Sequence, residues 1–202
     1  MAWIVTCASS RAFDGGDADR ELDSRPRGTG VVEARLMLTA MQIALPRGTD
    51  DRAWLALRSA LWPNVPEAAQ LSEMAELLAR GHYIRLALTN SGAAVGFVEA
   101  SKRADYVNGT NSSPVAFLEG LYVEPGYRRK GVARALVDSV VKWALTQGCE
   151  ELASDSLLDN TDAHAAHRAL GFEETERVVY FRRALHDAGQ PLQPGANPRA
   201  DR

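Results

Sequence analysis

Two apolar rhythms alternate along the chain, and the points where one gives way to the other mark its elements. Residues 37–45 (MLTAMQIAL) read as a first strand. In DDRAWLALRSALW the apolar positions Trp54, Leu55, Leu57, Leu61 and Trp62 follow a helical period, and Pro63 ends the helix. Residues 67–79 form a second helix, closed by Gly81. Residues 83–89 (YIRLALT) are strand-like, and Asn90–Ser91–Gly92 turn the chain into a partner strand, AAVGFVEASKR. A polar loop, DYVNGTNSSP, leads to PVAFLEGLYV, the central strand. Then VARALVDSVVKWALTQ places Val132, Leu136, Val140 and Trp143 on one helical face, with Gly148 at its end. ELASDS reads as a strand, DAHAAHRAL as a short helix ending at Gly171, and ERVVYFRRAL as a final strand. This order predicts a mixed α/β sheet flanked by helices.

The two ends differ from this pattern. Residues 1–36 are expected to be a flexible extension, because 11–35 are rich in Arg, Asp and Gly and hold almost no large apolar residue. Residues 37–185 form the folded domain, and 186–202, rich in Pro and Gly, a disordered tail. Cys7 and Cys149 match no metal or redox spacing. No stretch reads as an export signal or a membrane span, so a cytoplasmic protein is expected. A formal net charge of −3 argues against nucleic acid as a partner.

The segment YRRKGVARALV carries the first chemical signal. A helix start ordinarily favours acids, yet three cations and a glycine precede this one. Strand, turn, basic glycine loop and helix together suit an anion held by free backbone N–H groups. The loop lacks the first glycine and the hydroxyl of a nucleotide P-loop, and two of the three glycines of a dinucleotide fingerprint. Arg128, Gly131 and Ala133 match Arg/Gln-x-x-Gly-x-Gly/Ala, the pyrophosphate loop of acetyl-CoA-dependent N-acetyltransferases. With the downstream Asn160 helix and its ALGF ending, the chain resembles the GCN5-related N-acetyltransferase superfamily over about residues 40–185. The fold this implies is a mixed, mostly antiparallel central sheet flanked by helices.

LWP at 61–63, DYVNG at 105–109, SSPV-FLEG at 112–120, ASD at 153–155 and ALGFEETERV at 169–178 resemble one group within it, the type I aminoglycoside 6′-N-acetyltransferases. The resemblance implies acetyl transfer from acetyl-CoA to the 6′-amine of an aminoglycoside, antibiotic resistance and a homodimer; His164 and His167, at i and i+3, have no third ligand at suitable spacing, so no metal is expected. An alternative acceptor is a polyamine or a protein amine. The implied substrate-binding residues are Trp62, Tyr106, Glu119, Asp155 and Glu176. Those implied for the coenzyme are Leu121, Tyr122 and Val123, the loop residues Arg129, Lys130, Gly131, Val132, Ala133 and Arg134, and Asn160.

These residue types fit the chemistry. Aminoglycosides are polycations, so their cleft needs carboxylates, each charge-assisted hydrogen bond contributing about 1.5–3 kcal/mol. Glu119 stands among Phe117, Leu118, Leu121 and Val123, and an acid there needs a partner, which a substrate ammonium would supply. The attacking amine has to lose a proton, and Asp155 and Glu119 are both candidate bases. A main-chain N–H near Leu121 suits the developing oxyanion. His167 stands where many superfamily members carry an acidic Tyr, and is a candidate proton donor to the leaving thiolate.

Overall fold

The computed structural model describes residues 41–183 together with the two-residue strand β1, Val5–Thr6. Apart from those two residues, the expected extension over 1–36, the start of the strand expected from 37, and the tail over 186–202 lie outside the described residues.

The elements run in the order β2 (Gln42–Ala44), α1 (Arg52–Leu61), α2 (Glu67–Ala79), β3 (Tyr83–Leu88), β4 (Ala94–Arg103) and β5 (Val115–Val123). After a 3-10 turn at Pro125–Tyr127 come α3 (Val132–Thr146), β6 (Leu152–Ala153) and α4 (Thr161–Leu170). The strands form one sheet in the order β1-β5-β4-β3-β2, with β6 also on β5. Among the described residues only the β5–β6 pairing is parallel. The mixed, mostly antiparallel sheet expected from the sequence is therefore present.

Local chemistry sets the helix bounds. The Asp51 carboxylate caps α1, accepting from the N–H groups of Ala53 (2.9 Å) and Trp54 (3.1 Å). Trp54, Leu55, Leu57, Arg58 and Leu61 form its buried stripe, and the residue before Pro63 leaves the helix. α3 buries Val132, Leu136, Val137, Val140 and Ala144. Trp143 is only partly buried and stacks on Tyr83 at 5.0 Å.

The sheet has two unlike faces. Against α3 lie Ala87, Val95, Val98, Ala100, Leu118, Leu121 and Val123, all buried. Each large aliphatic buried there contributes about 1.5–3 kcal/mol. Against α1 and α2 lie Ile84, Leu86, Phe97 and Tyr122, joined by the buried polar residues Glu99 and Ser101.

The two expected strands at the C-terminal end come out differently. The one read over 151–156 is reduced to Leu152–Ala153, because β6 diverges from β5 after Phe117↔Ala153. The one expected over 176–185 does not form within the described residues up to 183. Val178, Val179, Tyr180 and Phe181 are instead exposed, Phe181 by 93%.

Candidate active site

The site grows from an irregularity in β5. Across β4 and β5 the register runs Glu99↔Gly120 and then Ala100↔Leu118, so Glu119 is one residue more than its partner strand matches. This β-bulge turns Glu119 and Gly120 both toward the α1 side, while Leu118 and Leu121 stay on the α3 side.

Glu119 already has partners there. Its Oε1 accepts from Ser101 Oγ (2.6 Å) and Arg103 Nη2 (2.9 Å), and its Oε2 from Arg103 Nη2 (3.0 Å). The Arg103 guanidinium lies 3.5 Å from the centre of the Phe117 ring. The protein therefore supplies the countercharge that the sequence reading assigned to a substrate ammonium. Neighbouring strand positions place Ser101 and Arg103 beside Glu119, and cross-strand register is not legible from one sequence. Three accepted bonds leave Oε2 with capacity for one more.

Trp62 comes directly after the last residue of α1 and covers Gly120. A Cβ at Gly120 would come within 2.9 Å of the indole Cη2, so only glycine admits the ring here. The indole is also tilted against Phe97 at 6.0 Å. Trp62 and Glu119 thus border the same stretch of β5.

Tyr106 is 77% exposed on the 105–114 loop, anchored beneath by buried Val107. Glu151 holds the far end of that loop, accepting from the N–H of Asn111 (2.8 Å), the N–H of Ser112 (2.7 Å) and Ser112 Oγ (2.5 Å). These bonds, the Ser112 hydroxyl first, lower the Glu151 pKa. Gly109 has φ +76°, and a Cβ there would collide with Thr175 Oγ1 and reach Glu176 Cγ at 4.0 Å. Two distant motifs, DYVNG and EETE, therefore meet, and the exposed Glu176 stands beside the Tyr106 loop.

Asp155 lies half-buried just after β6, its Oδ1 shielded from solvent. Next to it, Ser154 Oγ is 3.1 Å from His167 Nε2. The other ring nitrogen, Nδ1, is 2.7 Å from the Ala163 carbonyl. A carbonyl only accepts, so Nδ1 carries the proton and, in the neutral ring, Nε2 accepts from Ser154. Burial lowers the His167 pKa and favours that neutral form. Its one N–H is then directed at the Ala163 carbonyl.

Beyond β5 the chain is shaped for an anion. Arg129 (φ 58°) and Gly131 (φ 83°) are both left-handed, one residue apart, a backbone form that turns successive N–H groups inward. Gly131 caps α3 with no side chain on its first-turn N–H groups, and that turn holds no acid. Arg128 Nε donates to the Val123 carbonyl at 2.9 Å, tying the loop to the end of β5, and Arg134 donates to the Ala169 carbonyl. Asn160 caps α4, its Oδ1 accepting from Ala163 N–H at 3.0 Å. Leu121, Tyr122 and Val123 are buried on β5, and the edge vacated by β6 is taken at Gly120 and Leu121 by β1. Among the described residues no group of acids, His and Cys could hold a metal ion, and no helix is long and apolar enough to cross a membrane.

Residues 52–172, which include the bulged strand, the glycine loop and the helix after it, match the acetyltransferase (GNAT) family. The chain belongs to that family. It is 53% identical over 133 residues to an aminoglycoside N(6′)-acetyltransferase type 1 of Acinetobacter baumannii, spanning 65% of this chain and 90% of that protein. It is 48% identical over 162 residues to another from Stenotrophomonas maltophilia, spanning 80% of this chain and all (100%) of that one. Two solved structures superpose with a TM-score of 0.68 each, covering 72% of this chain and 99% of theirs. They are AAC(6′)-Iy in complex with a bisubstrate analogue, CoA-S-monomethyl-acetylneamine (44% identical), and AAC(6′)-Ih from Acinetobacter baumannii (48%). Within the family, the chain belongs with the type 1 aminoglycoside 6′-N-acetyltransferases.

Proposed function

We propose that this chain transfers the acetyl group of acetyl-CoA to the 6′-amine of aminoglycosides, and so protects its host from them. The observation that carries this reading is the bulge. It sets Glu119 and the Trp62-covered Gly120 on one face of β5, at the level where β6 departs. Acid and indole there suit an ammonium-bearing sugar, the indole adding about 0.5–2 kcal/mol if a cation meets its face.

Each acceptor-side residue has its own role. Glu119, already held by Arg103 and Ser101, uses the remaining capacity of Oε2 to anchor a substrate ammonium. Asp155 takes the proton from the attacking amine. Tyr106 and Glu176, on segments that meet where Gly109 approaches Thr175, form the outer rim for the remaining rings. His167 holds Ser154, and through it the segment carrying Asp155, rather than donating a proton.

On the coenzyme side, the amides of residues 129–133 and the first turn of α3 grip the diphosphate, with Lys130 and Arg134 adding charge. The edge of β5 beyond β6, at Leu121–Val123, takes the pantetheine arm as a strand, and the Leu121 N–H faces the developing oxyanion. Binding of the arm on this edge displaces β1 from Gly120 and Leu121. Asn160, at the start of α4, closes the far side. We assign a second copy of the chain to the exposed Val178–Phe181 segment, giving a homodimer.

The test is acetyl transfer to an aminoglycoside with a free 6′-amine, beside its 6′-hydroxyl counterpart and spermine. Turnover of the first alone is expected. Equal turnover of spermine would replace this reading with polyamine acetylation.

A further inference from the structure

A second polar cluster lies under the site, and none of the motifs that identified the chain contains it. Arg58 and Glu99 are each 3% exposed at the side chain. Arg58 Nη1 donates to both Glu99 oxygens, at 2.5 and 2.6 Å. Nη2 donates to Glu73 (2.8 Å) and Nε to Gln70 Oε1 (3.1 Å). Trp54 Nε1 donates to Glu99 Oε1 at 2.7 Å.

Stability does not account for such a pair. Desolvating two charges offsets most of their attraction, and apolar replacements of similar volume are often neutral or stabilising. The cluster's neighbours are more informative, because two of its side chains reach Trp62, whose backbone the end of α1 already holds. The Trp62 N–H donates to the Arg58 carbonyl at 2.7 Å. The Trp62 carbonyl accepts from Gln70 Nε2 at 3.2 Å. The Arg58 guanidinium lies 4.6 Å from the centre of the Trp62 ring. Glu99 in turn is the cross-strand partner of Gly120, the residue the indole covers. The helix ladder ends at that Trp62 N–H, so it fixes the backbone before Pro63 but not the indole.

We propose that the Arg58–Glu99 pair is a positioning device. It clamps the Trp62 indole between the guanidinium and Gly120, and so sets affinity for the amine substrate without touching it. The proposal rests on the reading that Trp62 lines the aminoglycoside cleft.

The test compares Arg58→Met/Glu99→Leu, Arg58→Lys and Trp62→Ala with the parent chain. The double variant, which leaves Trp54 Nε1 and Gln70 Oε1 without these partners, is expected to stay folded with a somewhat lower melting temperature and to bind acetyl-CoA unchanged. Its KM for the aminoglycoside should rise about tenfold at nearly constant kcat. With 5-fluorotryptophan incorporated, the 19F line of Trp62, assigned with Trp62→Phe, should broaden or split. Arg58→Lys keeps the charge but loses the planar stack and the fork, and should show the same KM change in a folded protein. An unchanged aminoglycoside KM in either folded variant overturns the proposal, and should the double variant not fold, Arg58→Lys decides. If Trp62→Ala itself leaves that KM unchanged, the assignment of Trp62 to the cleft fails instead.

Discussion

The two faces of the β4–β5 pair share one hydrogen-bond ladder and differ in nearly everything else. On the α3 side, Val98, Ala100, Leu118 and Leu121 meet Val132, Leu136 and Val140, with no charge among them. On the α1 side, Phe97 and Tyr122 share the surface with Glu99, Ser101, Arg103 and Glu119, all four of which make hydrogen bonds. The first face holds the domain together. The second tolerates buried charge because each charge has an assigned partner, and those partners shape the site.

The contrast is open to four tests, taken from the largest expected effect to the smallest. Asp155→Asn should lower kcat by about 10²–10⁴-fold while melting hardly moves, if this carboxylate is the base. Steady-state acetyl transfer would show it, and near-normal turnover would return the role to Glu119. Leu136→Ala, wholly buried on the apolar face, should cost about 2–5 kcal/mol in denaturant unfolding. Its kcat/KM per folded molecule should stay near the parent value, and a large loss there would show that the faces are not separable. Glu119→Gln should raise the aminoglycoside KM by roughly ten- to a hundredfold, equivalent to about 1.5–3 kcal/mol, with acetyl-CoA affinity kept. Calorimetry with each ligand separates the two effects.

The smallest effect concerns pH. Burial lowers the pKa values of His167 and His82 from their usual 6.5. Between the lowered folded value and 6.5 the unfolded chain binds more protons, so stability rises with pH through that window and falls on acidification. Melting temperature measured from pH 7.5 down to about 5.5 should therefore decline. His167→Gln should flatten part of the decline, and an unaltered slope would count against a neutral, buried imidazole.

Much of the fold was legible in the sequence because its signals are local. Asp51, Pro63, Asn160 and Gly171 mark helix ends through their own hydrogen bonds or dihedrals. The 176–185 run was misread because apolar, β-branched composition says that a segment can pair, not that a strand is there to receive it. For the site, motif resemblance singled out Trp62, Tyr106, Glu119, Asp155 and Glu176, but not their surroundings. Arg103 beside Glu119, Arg58 beneath Trp62 and Thr175 against Gly109 are contacts between distant segments. They depend on register and packing, which no local pattern encodes.

The extra residue in β5 has a consequence for how this enzyme can change. Because the bulge sets Glu119 and Gly120 on one face, excising residue 119 would leave Leu118, Gly120 and Leu121 in regular alternation, with Glu99 and Ala100 on their present partners. Leu121, Tyr122 and Val123 would keep their faces, and the loss would fall on the acid and its bonds to Ser101 and Arg103. The acid is thus carried by a residue that the sheet itself does not need, so this site can be altered, or lost, without repacking either face.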